Sequence, residues 1–153
     1  MTDGSDQTPM AVALLEAEAA SLRGEVPVGA VIVRDGAVIA QAGNRMREQK
    51  DPTAHAEILA IRDACVKLGN ERLGDCDLYV TLEPCAMCAA AISFARLRRV
   101  YFGAIDPKGG AVESGGRFFN QPTCHHAPEV YGGIGETTSR ALLQRFFSGL
   151  RGA

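Results

Sequence analysis

From Leu78 to Phe102 the chain reads strand, helix, strand, and that order restricts the fold more than any other stretch. Leu78 to Leu82 is a short β-prone run, and Pro84 leads into a helix of small residues over Cys85 to Ala95. Val100 to Phe102 is β-prone again. Two strands joined through a helix lie parallel and cross over with a right hand. Upstream, Thr8-Pro9 starts a helix with a hydroxyl at the cap and proline at the first helical position. Met10, Ala13, Leu14 and Ala17 follow at helical spacing before Gly24 closes it. Val28 to Val33 is an unbroken apolar run that Asp35-Gly36 turns into Ala37 to Ala42, the pattern of a hairpin whose first strand is buried on both faces. Asp51-Pro52-Thr53 is expected to open a further helix with an apolar stripe of Ile58, Ile61, Cys65 and Leu68, ending at Gly69. Asp106 to Gly135 is rich in glycine and proline without a long periodic segment, and reads as an irregular functional loop. Leu143, Phe146, Phe147 and Leu150 mark a C-terminal amphipathic helix. With no repeat or linker, residues 1–153 are expected to form one α/β domain with a mixed sheet, after a polar, disordered start over Met1 to Gln7.

A chain of 153 residues with 46% hydrophobic content excludes disorder, and no metal is needed merely to hold it folded. No apolar run approaches a membrane span, and the acidic start lacks the basic region of a signal peptide. The 16 basic and 18 acidic residues leave a net charge of −2, so whole-chain electrostatics offers no nucleic-acid footprint. Positive charge is grouped only locally, at Arg45, Arg47 and Lys50 and at Arg96, Arg98 and Arg99. Five cysteines, an odd number without an export signal, fit a reduced, cytoplasmic protein. Paired cysteines are then metal-binding or redox-active before they are disulfides.

Two segments carry chemistry: His55-Ala56-Glu57, and Pro84-Cys85-Ala86-Met87-Cys88. Singly, each has an ordinary explanation. A histidine near a helix start caps it, a Cys-x-x-Cys is a redox pair or two small core residues, and an acidic residue suits a helix N-terminus. Together they suit zinc, which prefers nitrogen and sulfur ligands in a tetrahedron. Cys85 and Cys88, one helical turn apart, can reach a single ion. The helix dipole there favours the thiolates a metal requires. His55 adds a neutral imidazole, and three protein ligands leave one position for a water, the catalytic pattern. A fourth ligand from Cys76, Cys124, His125 or His126 would instead make the site structural. Glu57, two residues from His55 in the first helical turn, is placed to take a proton from that water and pass it on.

The pairing of His-x-Glu with Pro-Cys-x-x-Cys matches the signature of the zinc deaminases. Asp51-Pro52-Thr53-Ala54-His55-Ala56-Glu57 and Thr81-Leu82-Glu83-Pro84-Cys85-Ala86-Met87-Cys88 resemble the cytidine-deaminase-like superfamily, and within it the bacterial tRNA adenosine deaminases. The likeness runs from about Met10 to Leu150 and includes Val26-Pro27-Val28-Gly29-Ala30, Gly43-Asn44-Arg45 and Phe102-Gly103-Ala104 followed by Asp106. The resemblance implies a three-layer α/β/α sandwich with a mixed five-stranded sheet, working as a homodimer. It makes His55, Cys85 and Cys88 the ligands of one zinc ion per chain and Glu57 the proton shuttle. Asn44 becomes the residue that hydrogen-bonds a flipped base, and the implied partner is the anticodon stem-loop of an arginine tRNA, whose wobble adenosine becomes inosine. The chain departs from the commoner family pattern over Lys108 to Tyr131. Arg45, Arg47, Arg98 and Lys108 are candidate RNA-backbone contacts, with Phe146 or Phe147 able to stack on a flanking base. Two other readings stand beside this one: deamination of a free base or nucleoside such as guanine or cytosine, and a structural zinc module without turnover.

Overall fold

A computed structural model describes residues 7–151, so most of the Met1 to Gln7 start lies outside the described residues. Helix α1 (Pro9–Leu22) begins as expected, with the Thr8 hydroxyl accepting from the Ala11 amide at 3.1 Å and proline at N1. Strands β1 (Gly29–Arg34) and β2 (Ala37–Gly43) form the hairpin. Its two turn residues, Asp35 at φ 50° and Gly36 at φ 78°, take the left-handed conformations that a tight two-residue turn requires. The one-turn helix α2 (Met46–Gln49) was not anticipated.

Helix α3 (Ala56–Leu68) starts later than Asp51. The Asp51 carboxylate instead accepts from the amide and hydroxyl of Thr53, closing a local turn that leaves His55 as the cap. The expected apolar stripe is also shifted. Ala56, Ala60, Ile61 and Ala64 are buried while Ile58, Cys65 and Leu68 are only partly so, because small residues let the helix seat closely. Strand β3 (Cys76–Leu82), helix α4 (Ala86–Ala95) and strand β4 (Arg99–Ala104) form the crossover unit, with β3 and β4 parallel. The 106–135 segment is largely irregular but contributes a short 3-10 turn at Phe118–Asn120 and strand β5 (Glu129–Tyr131), parallel to β4. Helix α5 (Glu136–Arg151) ends the chain.

The five strands run in the order β2-β1-β3-β4-β5, with β1 antiparallel to both neighbours and the others parallel. Side chains alternate across each strand. Ile32, Leu78, Val80, Val100 and Phe102 form the main core with α3 and α4, and Val31 and Val33 pack under α1. With α5 beside α1, the molecule is a three-layer α/β/α sandwich. Contact between α1 and the hairpin is very close. A Cβ at Gly29 would lie 1.9 Å from the Ala13 carbonyl oxygen, and one at Gly43 would lie 2.7 Å from that of Glu16. On the α1/α5 face, Tyr79, Tyr101 and Tyr131 occupy one register row across β3, β4 and β5. Their rings stack in sequence at 4.4 and 5.1 Å. Among the described residues no helix is long and apolar enough to cross a membrane.

Candidate active site

Because β1 is antiparallel to β3, its first residues sit beside the last residues of β3 and β4. Val26, Val28, Asn44, Leu82, Glu83 and Asp106 therefore meet at one end of the sheet, the carboxyl end of the parallel strands where open α/β sheets bind ligands. Two helices aim their N-termini at the same place. His55 is the cap residue of α3 and Cys85 that of α4, so both positive helix ends converge there.

The three proposed ligands come together. His55 Nδ1 lies 3.7 Å from Cys85 Sγ and 3.5 Å from Cys88 Sγ, and all three donor atoms lie within 4.8 Å of one another. Tetrahedral zinc with bonds of about 2.05 Å to nitrogen and about 2.3 Å to sulfur separates such ligand atoms by about 3.6 Å. The donor set thus fits zinc in kind and in spacing. Cys76, Cys124, His125 and His126 are not part of this cluster among the described residues. Cys76 is at the opposite end of β3, Cys124 donates to the His126 carbonyl at 3.2 Å, and a ring nitrogen of His126 meets the Leu97 carbonyl oxygen at 2.7 Å. All five cysteines are free, so none is paired in a disulfide.

Electrostatics divides the two thiols. A hydrogen bond from Cys88 and the neighbouring His55 bring Cys85 down to about 4, whereas Cys88, donating to Cys85 and buried, is pushed up. Hydrogen bonding to Cys85 raises His55 above its ordinary value. Glu57 is only 4% exposed, and burial pushes its carboxyl up to about 7. A carboxyl with that affinity both accepts and returns a proton near neutral pH.

Asn44 is also buried, but much of its amide is already engaged. Its Oδ1 accepts from the Ala56 amide at 2.8 Å and its Nδ2 donates to the Val26 carbonyl at 3.1 Å. It holds the start of α3 against the 26–28 segment, with one N–H left for a ligand acceptor. Asn44, His55, Glu57 and Cys85 line one cavity of about 260 Å³, the size for a single heterocycle. Val26, Leu82, Asp106 and Gly109 also line an adjoining cleft of about 600 Å³ that reaches Lys108, Leu143 and Phe147.

Not every expected contact lies here. Arg98 stands just before β4, at the far end of the sheet, about 17 Å of strand away. It forks onto Asp77 with two bonds of 3.0 Å. Phe147 borders the cleft, while Phe146 packs near Glu18 and Leu22 of α1. Sequence reasoning passed over Glu83 and Asp106, although both stood in the motifs quoted. The signal available was an acidic residue directly before Pro84 in a segment that had to bury.

Residues 3–104 match the family model of the cytidine and deoxycytidylate deaminase zinc-binding region. The chain is 67% identical over 138 residues to the tRNA-specific adenosine deaminase of Agrobacterium fabrum, covering 90% of this chain and 91% of that protein. It is 43% identical over 146 residues to the tRNA-specific adenosine deaminase of Bacillus subtilis, covering 95% and 91%. A solved structure from studies of A-to-I editing by tRNA:A34 deaminases superposes with a TM-score of 0.88 at 67% identity, over 88% of this chain and 98% of that one. The guanine deaminase of Bacillus subtilis superposes with a TM-score of 0.64 at 34% identity, over 92% and 93%.

Proposed function

The chain belongs to the cytidine and deoxycytidylate deaminase zinc-binding family, and on that premise we propose that it hydrolyses the 6-amino group of adenosine at the wobble position of a tRNA anticodon, leaving inosine. The observation that carries this reading is the buried Glu57 carboxyl, sharing a 260 Å³ pocket with the His55 and Cys85 donors. The preference for adenosine in tRNA rests on the relatives that bear that activity in their names, at 67% and 43% identity.

His55, Cys85 and Cys88 would hold one zinc ion. When bound, it lowers the pKa of a water from about 15.7 toward about 7 and so supplies a nucleophile at neutral pH. Asn44 orients the base with its free N–H. Glu57 takes one proton from the attacking water and gives it to N1 as the nucleophile adds at C6. It then takes the proton of the new C6 hydroxyl and delivers it to the amine as the C6–N bond breaks. Water and adenosine are consumed, and inosine and ammonia result. The pocket admits one base, so the nucleotide must leave its stack, which an anticodon loop allows at low cost. Arg45, Arg47 and Lys108 contact the RNA backbone around the pocket mouth, and Phe147 meets a neighbouring base across the adjoining cleft.

An arginine tRNA is the substrate and a homodimer in the cytoplasm the working form, both carried from the family resemblance. All of this chemistry belongs to a single domain. The test is incubation of the zinc-loaded protein with arginine tRNA, free adenosine, guanine and cytosine, with inosine and ammonia measured. Inosine formed only within tRNA supports the reading. Turnover of free guanine or cytosine alone would replace it with a free-base deaminase, the activity named for the Bacillus subtilis neighbour.

A further inference from the structure

Glu83 links the end of β3 to the Pro84-Cys85 start of α4, yet its side chain turns away from both into the 106–114 loop. It is 2% exposed and collects five donors. Oε1 accepts from the Asp106 amide and the Ser114 hydroxyl, each at 2.9 Å. Oε2 accepts from the amides of Val112, Glu113 and Ser114 at 3.0, 2.8 and 2.9 Å. The loop is tied to the same spot by its own backbone, through Ala111 N–H to the Pro84 carbonyl at 2.9 Å and a bridge pairing Gly110 with Cys85. Asp106 passes the constraint along, accepting from Lys108 and Gly109 amides at 3.2 and 3.0 Å. Asp106 and Gly109 are walls of the base-sized pocket.

We propose that Glu83 is a positioning residue for the deamination, its carboxylate holding the 106–114 loop so that Asp106 and Gly109 wall the base pocket and Gly110 backs the Cys85 corner. Only a group that accepts at every lone pair can satisfy five converging donors, and glutamine would turn an NH₂ against them. Gly110 completes the fit from the loop side. A Cβ there would lie 2.4 Å from the Glu83 carboxyl carbon and 2.6 Å from the Asp106 carbonyl oxygen, so a larger residue would open the loop. Glu83 acts through the loop, and a wall moved by about 1 Å is enough to cost a large factor in rate.

The catalytic half of this inference rests on the deaminase reading, and the loop half does not. The test compares zinc-loaded wild type, Glu83→Gln and Ser114→Ala by zinc content, amide hydrogen exchange and kinetics on an anticodon stem-loop. In Glu83→Gln the amides of Val112, Glu113 and Ser114 should lose protection while those of β1 keep it. Zinc should stay near one per chain, and kcat/KM should fall about 10- to 100-fold, mainly through KM. Ser114→Ala, which removes one donor, should shift KM in the same direction by less. Unchanged exchange and kcat/KM within about twofold in Glu83→Gln would overturn the proposal, as would loss of zinc, which would make Glu83 a support of the metal corner. If Glu83→Gln does not fold, an unchanged KM in Ser114→Ala overturns it instead. A wild type inactive on RNA but active on a free base would sink the tRNA reading. The exchange data, and KM for that base, would still judge Glu83.

Discussion

Three glutamates are buried around the pocket, and their surroundings give them different work. Glu25 accepts from the amides of Arg47 and Glu48 and so fixes α2, and Glu83 is saturated by its loop. Glu57 is the one that burial pushes up to about 7. Glu57→Ala should therefore keep zinc near one per chain and lower kcat about 10²- to 10⁴-fold. Undiminished deamination by that variant would remove Glu57 from the chemistry. Cys88→Ala should lose the metal, as read by metal analysis of the purified protein. The remaining cysteines respond differently to alkylation. Buried Cys76, its thiol pushed up to about 11 by burial and by Asp75, should stay unmodified by iodoacetamide at about pH 7. After chelation Cys85, brought down to about 4, should react first, and added zinc should protect it. Equal labelling of Cys76 and Cys85 in the chelated protein would contradict this ordering.

Elements legible in the sequence are those whose cause is local. The Thr8-Pro9 cap, the Asp35-Gly36 turn and the strand-helix-strand order of β3, α4 and β4 each follow from a few adjacent residues. Strand β5 was not legible because three residues carry no usable period, and it is ordered by pairing to β4. Helix α2 is fixed by Glu25, 22 and 23 residues away in sequence. The clustering of His55, Cys85 and Cys88 was readable because zinc demands particular donors at particular spacings. The Glu83 cage was not, since its partners are mostly backbone amides 23 to 31 residues away, which any sequence could supply. The packing of α1 on the hairpin gives a direct check at this scale. Gly29→Ala should destabilise the fold by at least about 1–3 kcal/mol, seen as a lower Tm, because the methyl group meets the Ala13 carbonyl oxygen. A Tm equal to wild type would mean that α1 can slide, contrary to the close seat described.

For the whole molecule, a net charge of −2 must be reconciled with the proposed RNA substrate. Charge placement resolves this. Arg98 and Arg99 face Asp77 and Glu129 at the far end of the sheet, whereas Lys108 borders the cleft. Arg45 (paired with Glu48) and Arg47 (donating to the Gly24 carbonyl) follow directly on the pocket residues Asn44 and Met46. Three phosphate contacts on a single-stranded loop give a slope of about −2 in log affinity against log salt. Binding measured across a salt series checks that value. Lys108→Ala should flatten the slope and Arg98→Ala should leave it unchanged, whereas an effect of Arg98→Ala as large as that of Lys108→Ala would put RNA on the wrong end of the sheet. The tyrosine row has a separate consequence. The chain has no tryptophan and three tyrosines, and all three are the stacked residues of β3, β4 and β5. Its near-ultraviolet signal is therefore dominated by one coupled chromophore. Circular dichroism in that band would report whether β5 is docked, without any introduced label.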